Sequence, residues 1–226
     1  MNWQWVADHT DLFANLLGEH IYLSVLPVVF GLLISLPLGI ACARWPRLYP
    51  PVLAATSILY ALPSIALFVF LLDYTGLTPA TVIIPLTVYT LSILVRNVVD
   101  GLRSVSDSVR QSAMSMGFGT VRRLAQIELP IAVPVVIAGV RVATVSNISL
   151  VSVGSLIGLG GLGRLFTDGF QRGFPTPIVM GIVLTVVLAV AADGLLVLAQ
   201  RILTPWARRR DVARLRRQRV ERQAIA

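Results

Sequence analysis

Five long apolar runs divide this chain. They cover about 21–43, 52–72, 79–95, 131–153 and 176–203. A bilayer-crossing helix needs about 20 mostly apolar residues, so the pattern predicts five spans. Ahead of them, residues 1–20 are mixed. Trp3, Trp5, Val6, Leu12, Phe13, Leu16 and Leu17 alternate with Asp8, Asp11 and Glu19. No basic segment leads into an apolar core there, so it does not read as a signal peptide. It reads as an amphipathic helix lying in the interface, with the Trp pair at headgroup level. Pro27, Pro37, Pro63, Pro85 and Pro134 fall within or near the ends of spans. Proline is tolerated in membrane helices, where neighbours re-satisfy the freed carbonyl. Pro63, flanked by Tyr60 and Ser64, is the one that reads as a functional bend and pathway element.

Between the third and fourth runs lies a polar island, Gln111–Pro130, inside a loop spanning 97–130. Val105, Val109, Ala113 and Met116 recur at helical spacing and give one apolar face. Gly117 and Gly119 interrupt it. Val121, Leu124 and Ala125 mark a second short helix, and Pro130 suits the start of the fourth span. Long connections are usually functional or disordered, and the apolar periodicity argues against disorder. The chain therefore divides into an amphipathic segment (1–20), a transmembrane domain (21–203) and a basic tail (204–226).

Composition fixes the class. The chain is 56% hydrophobic and 13% charged, which points to an all-α polytopic membrane protein. Its net charge is +8, and every basic residue is Arg. Eight of the nineteen arginines fall in Arg208–Arg222, a tail suited to anionic headgroups. No folded basic domain with stacking aromatics accompanies it, so no nucleic-acid partner is expected. Sixteen arginines share one side of a five-span topology, and only Arg164 and Arg172 lie on the other. The positive-inside rule then puts the amino terminus outside and the carboxyl terminus in the cytoplasm.

Chemistry is scarce. Cys42 is alone, and His9 and His20 read as polar residues near a membrane face; no metal site or nucleophile–base set converges. With no Lys anywhere, no P-loop can reach nucleotide phosphates, so any ATPase must be another chain. Gly158, Gly160, Gly161 and Gly163 fit G-x-G-x-x-G, but no strand precedes them. They form either a flexible hinge or a close-packed turn. Ser146, Ser149, Ser152 and Ser155 recur every three residues beside Asn147. They serve helix packing, a polar pathway wall, or both. Arg141 and Asp193 are charges deep in spans, at matching depth, and are expected to pair.

Gln111-Ser112-Ala113, three residues, Gly117, nine residues, Ile127, one residue, Leu129-Pro130 resembles the EAA loop of binding-protein-dependent ABC importer permeases. The spacing agrees throughout; Gln111 replaces the family glutamate and Ser112 the first alanine. The resemblance continues through Arg96-Asn97, Ala138-Gly139-Val140-Arg141 and Ile157–Gly163. It implies the methionine-importer-like permease fold. It also implies that Gln111, Ser112, Ala113, Met116, Gly117, Phe118, Leu129 and Pro130 couple the chain to an ATPase. Two ATP-binding subunits holding ATP and Mg, a second permease chain, and an extracytoplasmic binding protein would be partners; this chain itself binds no cofactor. The glycine turn would lie beside the outer end of the path. Tyr60–Ala66 with Val95-Arg96-Asn97 resembles the osmoprotectant branch (glycine betaine, carnitine, choline, proline betaine). The methionine branch, as an amino-acid permease, is the alternative. A rival of another class is an ion-coupled secondary transporter, which needs titratable groups near mid-membrane.

Overall fold

The computed structural model describes residues 1–206, and every regular element among them is helical. Helices α1 (Trp3–Asp8) and α2 (Thr10–Arg44) open the chain, followed by α3 (Tyr49–Ala61), α4 (Ser64–Thr75) and α5 (Ala80–Arg103). An elbow holds α6 (Asp107–Ser115) and α7 (Thr120–Arg123) and leads into α8 (Leu129–Val151). A glycine-rich turn then connects to α9 (Arg164–Gln171) and α10 (Pro175–Leu203). Four helical runs are long and apolar enough to cross a membrane, and the bent pair α3–α4 makes a fifth.

Helix α5 is the centre, with α2 and α8 packed on it. Small residues make the close approaches, as membrane helix packing favours. Gly31 sits against Thr90, Gly39 against Val98, and Gly139 against Asn97. These contacts also give direction. Gly31–Thr90 and Gly39–Val98 advance together, so α2 and α5 run parallel. Asn97–Gly139 and Thr90–Asn147 advance oppositely, so α5 and α8 are antiparallel. Parallel neighbours require a return crossing between them, and α3–α4 supplies it. A Cβ on Gly39 would lie 2.5 Å from Val98 Cγ1, in a buried interface with no slack. Gly39→Leu is expected to cost about 1–3 kcal/mol by overpacking. A lowered thermal midpoint of the detergent-extracted protein would register it; an unchanged midpoint would show that the α2–α5 contact is loose.

Two expectations need correction, and a third is met. Residues 10–20 are no separate in-plane helix, because they begin α2. Tertiary contacts explain this: Leu16 packs on Leu162 and Leu165, and His20 is fully buried. The bend expected at Pro63 is present, and it is sharp: the second span breaks there by 89°. The residue before a proline is pushed out of helical backbone, and Leu62 is extended at φ −70°, ψ 137°. The second elbow helix does not end before the fourth span. It runs into α8 through a π-helical turn at Leu124–Glu128, where Pro130 supplies no N–H to the preceding turn. The arginine tail, Arg208–Arg222, lies outside the described residues.

Candidate functional site

The elbow is built to present a rigid apolar tip. Helix α6 ends in a Schellman motif: Phe118 N–H donates to Ala113 O (3.1 Å) and Gly117 N–H to Met114 O (2.9 Å). That motif needs a left-handed residue after the helix, and Gly117 supplies it at φ +81°. Ala113 is buried, so α6 seats on its base, while Met114, Met116 and Val121 are exposed. Exposed apolar side chains clustered on a polar loop mark an interaction surface. Gln111, Ser112 and Ser115 are exposed on the same helix. Phe118 is capped by the Arg122 guanidinium, 4.8 Å from its ring centroid.

Beneath this tip lies an ion cluster that sequence reasoning missed. Arg123 Nε donates to Glu128 Oε1 at 2.7 Å, and Arg110 Nε lies 3.7 Å from the same oxygen. Arg110 Nη2 also donates to Leu102 O, in the last turn of α5, at 2.8 Å. Glu128 is buried. The cluster therefore ties the end of α5, the elbow helix and the start of α8 to one another. Glu128 fills the unspecified position between Ile127 and Leu129. Its acid type, set among four loop arginines, was the available signal.

At the other end of the bundle the glycine turn is close-packed. Ser152–Ile157 form a 3₁₀ helix closed by Gly158 at φ +85°. Built Cβ atoms on Gly154, Gly160, Gly161 and Gly163 would fall 2.0–2.7 Å from neighbouring atoms. His20 anchors this turn. Leu162 N–H donates to His20 Nδ1 (3.2 Å), which leaves the proton on Nε2 to be donated to Ile148 O (2.9 Å). The geometry fixes a neutral imidazole between α2, α8 and the turn. Arg164 adds a strap, donating to Gly158 O at 2.8 Å with Glu19 3.7 Å away. His20 is thus a buried structural anchor between α2, α8 and the turn.

The remaining expected pathway residues separate. Tyr60 is exposed at the α3–α4 break and meets Tyr89 edge-on at 5.5 Å. Tyr89 Oη donates to Leu62 O at 2.6 Å and so occupies a carbonyl freed by the bend; Pro63 and Ser64 complete the break. On α8, Ser149 is exposed and Ser146 half-buried. Asn147, by contrast, is buried and donates to Thr90 Oγ1 at 2.9 Å, so it belongs to the α5–α8 contact. One residue is about 100° of helix, which turns Asn147 away from its serine neighbours. Arg141 and Asp193 meet in a bidentate pair, with Nε–Oδ1 at 2.7 Å and Nη2–Oδ2 at 2.8 Å.

Residues 35–207 match the family described as "Binding-protein-dependent transport system inner membrane component". The chain belongs to this family. As its inner-membrane component, the permease is a multi-pass transport subunit and not an enzyme; in such systems the ATPase is a separate subunit. Its relatives include the choline transport system permease protein OpuBD of Bacillus subtilis (strain 168). That protein is 33% identical over 87% of this chain and 88% of its own length. The glycine betaine/carnitine/choline transport system permease protein OpuCD of the same organism is 34% identical, covering 83% and 82%. The osmoprotectant import permease protein OsmW of Salmonella typhimurium is 32% identical, covering 89% and 96%. Among solved structures, an inward-facing MetNI methionine ABC transporter superposes with TM-score 0.78 at 22% identity, over 87% of the permease and 98% of that chain. That likeness shows the shared fold.

Proposed function

We propose that this permease imports quaternary-amine osmoprotectants such as glycine betaine, carnitine, choline or proline betaine. The observation that carries the substrate class is the similarity, over 82–96% of their lengths, to permeases named for choline, glycine betaine, carnitine or osmoprotectants, at 30–34% identity. Two permease chains form the path, two ATP-binding subunits hold ATP and Mg below it, and an extracytoplasmic binding protein delivers solute above it. The elbow faces the cytoplasm and seats its exposed tip, Met114 and Met116, in the ATPase. Gln111, Ser112, Ala113, Gly117 and Phe118 shape that contact, and Leu129 and Pro130 hand its movement to α8. ATP-driven closure of the ATPase pair moves the bundles as rigid bodies and alternates access. The arginine balance supports an amino terminus outside and a carboxyl terminus in the cytoplasm. The α3–α4 break and the glycine turn sit where the path gates.

Reconstitution tests this reading. Proteoliposomes holding the permease, its ATPase and its binding protein are expected to accumulate glycine betaine or choline only with ATP. Uptake by the permease alone, driven by an ion gradient, would replace this reading with a secondary transporter.

A further inference from the structure

The Arg141–Asp193 pair is open on one side. Its side chains are 33% and 36% exposed, at a depth of about 15–18 Å from the elbow end of α8 and the last turn of α10. That is near the middle of a hydrocarbon layer about 30 Å thick. Charges exposed to lipid at such depth are costly, so they face a bundle interior or water. The open side is a cavity of about 420 Å³ bounded by Ala138, Arg141, Val142, Val145, Ser146 and Asp193. The same α8 face continues through exposed Ser149 to Ser152. Ser152 Oγ is buried without a hydrogen-bond partner among the described residues. Ser152 and Ser155 line a second cavity, about 530 Å³, that reaches Phe166 and Phe170 beside the glycine turn. Two cavities thus follow one another along one helix, with hydroxyls between them. The first cavity, which holds the ion pair and Ser146, is the one suited to water; the second has an almost wholly apolar wall.

A guanidinium and a carboxylate joined by two parallel bonds neutralise each other when no solute is present. A solute bearing both charges offers each partner a replacement. Its carboxylate takes the donors of Arg141, and its cationic end takes Asp193. The exchange leaves net charge unchanged, so no orphan charge is created in mid-membrane. A solute with a single positive charge would engage Asp193 and strand Arg141, which is the costly case. We propose that Arg141 and Asp193 form an exchangeable mid-membrane subsite for zwitterionic solutes, entered through the α8 serine face. This rests on the osmoprotectant reading for its probes, and on the geometry for its location.

Two measurements test it. Single cysteines at Val142 and Ser149, in a chain whose buried Cys42 is replaced by Ala, are treated in membranes with a charged thiol reagent. Both are expected to react. Reaction with an apolar maleimide alone would show a dry face, covered by lipid or by the second permease, and would overturn the subsite. Uptake of glycine betaine and of choline is then compared in proteoliposomes of the complete transporter. The Arg141→Met/Asp193→Leu double variant removes both charges together and leaves none unpaired. Its recovery with the ATPase serves as the folding control. Betaine uptake is expected to fall at least tenfold further than choline uptake. Equal falls, or none, would make the pair a packing element. If the unaltered transporter takes up neither solute, the osmoprotectant reading fails. The same comparison is then made with methionine as the zwitterion, and methionine uptake that the double variant leaves unaltered sinks the subsite.

Discussion

Deleting Ser108–Phe118 is expected to abolish association of the ATPase and, with it, ATP-driven uptake. Helix α6 and its glycine-closed turn carry Met114 and Met116, two of the three apolar side chains exposed at the tip; Val121 on α7 is the third. Removing them leaves Val121 alone, without the helix and turn that frame the surface. The ATPase would no longer co-purify in detergent, and uptake would fall below about a hundredth of the unaltered level. Unchanged co-purification would contradict the docking role. A finer variant separates docking from transmission. Glu128→Ala removes the anion that holds Arg123 and Arg110 together and leaves the tip residues in place. Association is expected to survive, and ATP hydrolysis to continue, while uptake falls at least tenfold. The lever would turn without moving α8. Hydrolysis and uptake falling in step would show that Glu128 acts only in folding or docking.

Much of this site was readable in the chain because it depends on spacing. The elbow pattern survives as spacing even where Gln111 and Ser112 depart from it. Arg141 and Asp193 were matched by depth alone, and helical rise converts sequence separation directly into depth. What could not be read depends on partners distant in sequence or on backbone atoms. His20 bonds the carbonyl of Ile148, 128 residues away; no side-chain pattern encodes a carbonyl. The continuity of α2 was hidden for the same reason. An apolar stripe interrupted by Asp11 and Glu19 looks alike in the membrane plane and across it, and burial of Leu16 and His20 decides between them. Asn147 was grouped with the serines, but each residue turns about 100° around a helix, so neighbours in sequence need not share a face. The bend at Pro63 was visible, but its size of 89° reflects the Tyr89 bond to Leu62 as well as the missing N–H.

The glycine turn gives the second large effect, and it separates two glycines of one motif. Gly158 and Gly161 both have positive φ, at +85° and +48°. Left-handed backbone costs a non-glycine residue about 1–2 kcal/mol, less for Asn. At Gly158 an added Cβ meets nothing within 4 Å. Gly158→Asn should therefore cost no more than about 1 kcal/mol and leave most uptake intact. At Gly161 the added Cβ falls 2.7 Å from His20 N and 2.8 Å from His20 Cα. These are backbone atoms in the middle of a helix and cannot step aside. Gly161→Ala must push the turn off α2, which stretches the Leu162 N–H bond to the imidazole. An orphaned buried group costs about 1–3 kcal/mol, in addition to the backbone strain. Uptake is expected to fall at least tenfold, with a lower thermal midpoint, whereas His20→Ala should lower the midpoint through the lost bonds without steric displacement of the turn. Gly161→Ala behaving like Gly158→Asn would mean that the turn is a loose hinge, and that tight seating against His20 is not what positions this end of the bundle.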